Sequence, residues 1–267
     1  MNIQELFSLK NKVALITGGA KTLGYDMALA LAEAGANVAI TSRNLEDAEK
    51  SADDIKEITG QDVLGVCLDV TNEEQIISTI QKVKEYFGTI DILVNNAGNV
   101  VSTPENSTLE NRPLSEWQRT IDINLTGAFL CSKYVVAEVM KPAKSGNIIN
   151  LGSVTGMVGK DRRVYDGTSI GGSTIDYHAS KAAIINMTRD MAGYLAESGI
   201  RVNCISPGPF WRNQDPNFVK AYSKQIPLGR FGEEGKEIKG AAVYLASEAS
   251  SYVTGHNLVI DGGLVAW

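Results

Sequence analysis

The chain has 267 residues, 43% of them hydrophobic and 21% charged, with a formal net charge of −6. That length can bury one large α/β core, although size alone also permits two. The acidic balance argues against a nucleic-acid partner, and no run approaches the 18 or so apolar residues that a membrane-spanning helix needs.

In chain order, short β-branched runs alternate with longer helical patterns. "KVALIT" (12–17) reads as a strand and leads through the glycine-rich "TGGAKTLG" (17–24) into "LGYDMALALAEAGA", whose apolar residues recur at helical spacing up to Gly35. Such a loop lets backbone N–H groups approach a phosphate while the helix N-terminus adds positive potential, although it also serves as a plain tight turn. "NVAITS" (37–42) follows, then an amphipathic helix over 45–59, a strand in "DVLGVCLDV" (62–70) and a helix over about 72–87. "IDILVNNAG" (90–98) is a fourth strand running into a loop. A long helix of about 114–140 precedes the strand "NIINLGS" (147–153), a helix of about 177–198 carrying "YHASK", and the strand "IRVNCISPG" (200–208). A helix near 236–247 and the strand "NLVIDGG" (257–263) close the chain.

Seven apolar strands separated by helices predict a parallel sheet covered on both faces, a doubly wound α/β fold of Rossmann type in a single domain over 1–267. In such folds ligands bind beyond the carboxyl ends of the strands, where the strand order reverses. Gly18–Gly24, Ser42–Arg43, Asp69, Asn95–Gly98, Ser153 and Pro207–Gly208 all fall at or just after predicted strand ends.

The second strand bears on the cofactor. NAD enzymes usually end it with a carboxylate for the ribose hydroxyls. Here Ser42 and Arg43 stand there, with Lys21 in the glycine loop able to reach the same place. Two cations and no anion favour a 2′-phosphate, so NADP(H) is preferred over NAD(H). The three cysteines, Cys67, Cys131 and Cys204, read as buried thiols, and two histidines with no Cys/His cluster make a metal site improbable. The opening "MNIQELFSLKNK" lacks the apolar core of a signal peptide, so a soluble cytoplasmic protein is expected.

With these pieces together the chain resembles the classical short-chain dehydrogenases/reductases over essentially its whole length. Gly18, Lys21, Thr22, Leu23 and Gly24 look like the cofactor loop. Asp69 with Val70 looks like the adenine-holding position, Asn96-Ala97-Gly98 like the segment bordering the cofactor, and Pro207-Gly208 like the turn beside the nicotinamide. Asn124, Ser153, Tyr177 and Lys181 match the family's catalytic tetrad, with Tyr177 and Lys181 also meeting the cofactor. The resemblance implies a ketone/secondary-alcohol oxidoreductase. Tyr177 would be its acid/base, lowered in pKa by the Lys181 ammonium four residues on. Ser153 would donate to the carbonyl oxygen, and Asn124 would hold a water linked to Lys181. His178 and His256 receive no role.

Three features depart from the family pattern. Thr22 stands where the loop's middle glycine is usual. No threonine follows Pro207-Gly208, where Asn213 is a candidate substitute. Ser153 lies farther from Tyr177 than is common, because of an extra segment, 159–172, expected to overhang the pocket as a lid. That segment carries Lys160, Arg162 and Arg163, and Trp211, Phe210 and Arg212 follow Gly208. A polar sugar, sugar-acid, polyol or keto-acid substrate is expected, with an arginine as carboxylate partner. A weaker similarity to the gluconate 5-dehydrogenase branch lies in "LFSLKNKVALITGG" and "PLGRFG". The alternatives are a 3-oxoacyl-carrier-protein reductase and a non-enzymatic NADP-binding regulator. Resemblance also implies a homo-oligomer, tetramer or dimer.

Overall fold

Residues 13 to 16 show why the strands read as unbroken apolar sequence. Ala14 and Ile16 enter a core layer with Met27, Leu31, Ile238 and Leu245, while Val13 and Leu15 enter another with Ile76, Ile80, Val83 and Val135. Both faces are covered, so the period-2 alternation of a half-exposed strand never appears. Each fully buried Leu or Ile contributes about 1.5–3 kcal/mol.

The computed structural model describes residues 1–98, 103, 105–168 and 170–267. Its elements are α1 (Ile3–Phe7), β1 (Val13–Ile16), α2 (Thr22–Glu33), β2 (Asn37–Ser42), α3 (Leu45–Thr59), β3 (Val63–Cys67), α4 (Glu73–Phe87), β4 (Ile92–Asn95), α5 (Leu114–Ile121), α6 (Gly127–Val135) and α7 (Lys141–Ala143). β5 (Gly146–Leu151), α8 (Ile175–Leu195), β6 (Ile200–Pro207), α9 (Pro216–Ser223), α10 (Glu237–Ala246) and β7 (Asn257–Ile260) complete them. All seven strands form one parallel sheet in the order β3-β2-β1-β4-β5-β6-β7. The expected doubly wound fold is therefore present. The short α1 and the helix α9, in the segment after Gly208, are additions that periodicity did not announce.

Local chemistry sets the helix ends. Asn44 accepts from the Glu46 N–H at 3.0 Å to start α3, and Asn72 accepts from the Gln75 N–H at 3.0 Å to start α4. The two helices stop at Gly60 and Gly88, whose φ values are 70° and 85°. By contrast α2 starts after Lys21 with no side-chain cap. The long helix expected over 114–140 is continuous but not uniform, because Asp122–Thr126 and Val136–Met140 are π-helical turns.

The cysteine expectation needs one correction. Cys131 and Cys204 are buried, but Cys67 is exposed at the end of edge strand β3. Among the described residues no helix is long and apolar enough to cross a membrane, and no cluster of His, Cys, Asp or Glu forms a metal site.

Candidate active site

Chain order runs outward from β1 to β3 on one side and from β4 to β7 on the other. A crevice therefore opens beyond the carboxyl ends of β1 and β4. It is a cleft of about 1030 Å³. Thr17 ties its floor together: the hydroxyl accepts from the N–H groups of Asn96 (3.1 Å) and Ala97 (3.0 Å). Asn96 Nδ2 in turn donates to the carbonyls of Thr17 and Gly18, both at 2.9 Å. A Cβ on Gly24 would run into the Gly18 carbonyl oxygen and the Asn96 amide, so this turn of α2 tolerates only glycine.

Of the residues expected to bind cofactor, Gly18, Lys21, Thr22, Leu23, Ser42, Arg43, Asp69, Val70, Asn96, Ala97, Gly98, Tyr177, Lys181 and Pro207 line the cleft. Gly24 and Gly208 do not; they are packing positions, Gly208 lying against Asp261 with its N–H on the Ile260 carbonyl at 2.8 Å. Thr22 has φ +52°, in the left-handed region. That explains the usual glycine there and makes a β-branched residue strained by about 1–2 kcal/mol.

Beyond β2 the reading of two cations and no anion is too simple. Arg43 and Lys21 line the cleft, but so do Asp47 from the first turn of α3, Asp69 and a further cation, Arg119. Burial pushes the Asp69 carboxyl up, yet two bonds from Thr71 and the charges of Arg43 and Arg119 hold it below the usual carboxylate range. Sequence reading missed Arg119 and its neighbours Ser115, Gln118 and Asp122, which also line the cleft. Their spacing of i, i+3, i+4, i+7 was the available signal, since it puts four polar groups on one helix face.

At the other end, Ser153 and Tyr177 meet. The Ser153 hydroxyl lies close enough to the Tyr177 phenol to pull its pKa down, and it accepts from Thr155 Oγ1 at 2.9 Å. Convergence despite the long intervening segment has a local cause. Ser153 caps the 3-10 turn Val154–Gly156, and at Gly156 a Cβ would sit 2.6 Å from the Lys181 backbone, so the turn lies directly on α8. Lys181 is 5% exposed and donates to the Leu151 carbonyl at 2.7 Å, with Nζ 5.7 Å from the centre of the Tyr177 ring. Asn124, 2% exposed within the first π turn, donates to Ser180 Oγ at 3.1 Å. A Cβ on Gly98 would lie 3.5 Å from Asn124 Oδ1 and 3.6 Å from Lys181 Nζ, so these two side chains converge there. π turns often mark functional sites.

The expected lowering of Tyr177 by Lys181 is corrected. Burial pushes the Tyr177 phenol up and outweighs the Ser153 hydrogen bond and the charge of Arg212, which pull it down. Lys181 is itself desolvated, to a pKa of about 8. Arg212, rather than Asn213, is the residue after Pro207-Gly208 that lines the cleft, and its Nε meets Glu234 at 2.6 Å. Two supports of this end were not legible beforehand. Arg112 forms a bidentate pair with Asp176, next to Tyr177, at 2.6 and 3.0 Å, with the two side chains 3% and 0% exposed. Asn95 donates to Ser132 and Asn150, and Asn150 to Thr188, tying α6, the sheet and α8 together.

The 159–172 segment, of which position 169 lies outside the described residues, forms a 3-10 turn over Arg162–Tyr165. The lid arginines do not face the cleft, and of the arginines expected as carboxylate partners only Arg212 lines it. Arg163 is 85% exposed and paired with Asp161, and Arg162 donates to the Ser107 and Ser173 carbonyls. Neither lines a cavity described here. His178 bonds Ser173 at 2.9 Å, a structural tie, and His256 is exposed.

A family model described as Enoyl-(Acyl carrier protein) reductase matches residues 18–265. The chain is 36% identical over 260 residues to a 3-oxoacyl-[acyl-carrier-protein] reductase FabG of Chlamydia muridarum, covering 96% of this chain and 98% of that one. It is 35% identical to the sorbose reductase SOU1 of Candida albicans, covering 98% and 90%. Among solved structures, a gluconate 5-dehydrogenase of Burkholderia cenocepacia in complex with NADP and tartrate superposes over 100% of both chains, with TM-score 0.89 and 32% identity.

Proposed function

The chain belongs to the classical short-chain dehydrogenase/reductase family of oxidoreductases, and on that premise we propose that it interconverts a ketone and a secondary alcohol with NADP(H), on a polar sugar, sugar-acid, polyol or keto-acid substrate. The observation carrying this reading is the hydroxyl-to-phenol contact of Ser153 and Tyr177 at the end of a cleft whose other end presents Lys21 and Arg43. The donor set suits a dinucleotide: a glycine turn, an uncapped helix start and two cations for phosphate. Bound there, NADP(H) supplies or accepts the hydride. The Burkholderia relative was solved with NADP and with a dicarboxylate.

In this reading Tyr177 gives its phenolic proton to the carbonyl oxygen in reduction and takes it back in oxidation. The phenol is protonated at neutral pH, as the acid role requires, and the upward push of burial makes it a weaker acid than a free phenol. Ser153 donates to the same oxygen and stabilises charge developing there. Lys181 and Asn124, converging at Gly98, are placed to share a water that returns protons to Tyr177 from solvent. The residues from 159 to 172 act as a lid on one domain, and Leu114, Phe129 and Tyr194, 78%, 50% and 71% exposed on α5, α6 and α8, are proposed to be covered in a homo-oligomer.

A carrier-protein reductase is the second reading, favoured by the chlamydial identity. The test is a ketone panel with NADPH, comparing wild type with Tyr177→Phe. Turnover of polar ketones that Tyr177→Phe abolishes, with NADPH affinity retained, is the expected result. Activity confined to 3-oxoacyl thioesters moves the chain to the second reading, and unchanged turnover in Tyr177→Phe overturns the assignment of the proton donor.

A further inference from the structure

A second cavity, of about 250 Å³, is lined in part by Val154 and Thr155, the residues directly after Ser153. That is roughly eight waters' worth of liquid volume, enough for a short substrate tail. Its lining includes Thr155, Lys160, Asp161, Tyr222, Gln225 and Trp267. Thr155 is one hydrogen bond, 2.9 Å, from the Ser153 hydroxyl, and Tyr222 is close enough to Tyr177 to feel its charge. Thr155 and Tyr222 thus bring the wall of this cavity beside the two groups proposed to hold the substrate carbonyl.

Lys160 is the cation that faces it. The ammonium sits 3.8 Å from the ring centre of Tyr222, 5.5 Å from Tyr165 and 5.8 Å from Phe218. Tyr165 stacks on Phe218 at 5.3 Å, so aromatic rings surround the ammonium behind the cavity lining. Among the described residues no carboxylate pairs with Lys160. The neighbouring acid, Asp161, is engaged by Arg163 at 2.8 and 2.7 Å and by Gln225 at 3.1 Å. Ring faces attract a cation but give it no counter-ion. Burial accordingly lowers the Lys160 pKa to about 7.

We infer that Lys160 is a specificity-determining residue, and that its cavity takes the carboxylate end of a short keto-acid or sugar-acid substrate whose carbonyl sits at Tyr177. The inference rests on the proposed carbonyl reduction at Ser153 and Tyr177 and replaces the lid arginines as the anion partner. An incoming carboxylate gives the caged ammonium the counter-ion it lacks, while the Tyr222 hydroxyl and the Gln225 amide are polar groups on the same wall.

The test compares 4-oxopentanoate and 5-oxohexanoate with their methyl esters, using NADPH, in wild type, Lys160→Gln and Lys160→Arg. Expected is a rise in KM of about ten- to a hundredfold for the acids in Lys160→Gln, from loss of one charge-assisted contact. The esters should be unaffected, and Lys160→Arg should recover most of the preference. A second readout needs no turnover: quenching of tryptophan fluorescence by each acid and ester, since Trp267 lines the cavity. Equal effects of Lys160→Gln on acid and ester, or equal binding of the two by wild type, overturn the inference while leaving carbonyl reduction intact. Absence of all ketone turnover, with acids still bound more tightly than esters through Lys160, supports the subsite and refutes the proposed reaction.

Discussion

The Arg112–Asp176 pair allows a quantitative check on how the catalytic helix is held. Both side chains are almost wholly excluded from solvent, and their two hydrogen bonds fix the residue next to Tyr177. Burial alone would push the Asp176 carboxyl up, but the bonds from Arg112 and Thr120 outweigh it and hold the group below the usual carboxylate range. In Arg112→Met the carboxyl loses that partner and keeps the burial. Breaking a buried pair from one side costs about 3–5 kcal/mol, which at about 2–4 °C per kcal/mol lowers Tm by roughly 10 °C. The sign of the pH dependence follows. In wild type the depressed pKa contributes stability that is present above the unfolded value and lost as pH falls through the folded one. In the variant the folded pKa is raised, so the penalty is largest at pH 8 and shrinks as acid protonates Asp176. Calorimetric Tm from pH 8 to pH 5 for wild type, Arg112→Met and Arg112→Met/Asp176→Leu measures this, with the double variant recovering most of the loss. A single variant within about 1 kcal/mol of wild type, or a penalty that does not change with pH, refutes the reasoning.

Thr22→Gly exchanges about 1–2 kcal/mol of left-handed strain for about 0.5–1 kcal/mol of backbone entropy, so Tm should rise by about 2 °C; a fall would show that the Thr22 side chain contributes contacts of its own. Arg43→Ala should weaken NADPH binding about ten- to a hundredfold and leave NADH nearly unchanged, read by titration of each nucleotide. For keto acids, kcat/KM should show a break near pH 7, where Lys160 loses its charge, which the esters and Lys160→Arg lack, both keeping only the later change common to all substrates as Lys181 titrates at about 8. The other titratable groups facing Lys160 do not produce that break. Tyr222 is pushed up by burial, His178 is pushed down, and Asp161 is held low by Arg163.

Tyr177, Lys181, Ser153 and the glycine turn were legible in the sequence because each is tied to a strand end or a helix repeat. Seven apolar runs separated by amphipathic ones leave a covered parallel sheet as the consistent arrangement, and that sheet sends every strand-end residue to one edge. Periodicity is a local property, so it also located most elements closely, missing α1, α9 and the two π turns. What the chain could not announce depends on residues distant in sequence. Lys160 and Arg163 look alike in a loop of mixed charge; only the packing of Tyr165, Phe218 and Tyr222 makes the first a caged cation and leaves the second in solvent. The direction of the Tyr177 shift turned on a competition between burial and charge, and burial is a sum over neighbours that three-dimensional packing alone assembles. Likewise the pairing of Arg112 with Asp176 and the strain at Thr22 are consequences of backbone placement, which residue type constrains but does not specify.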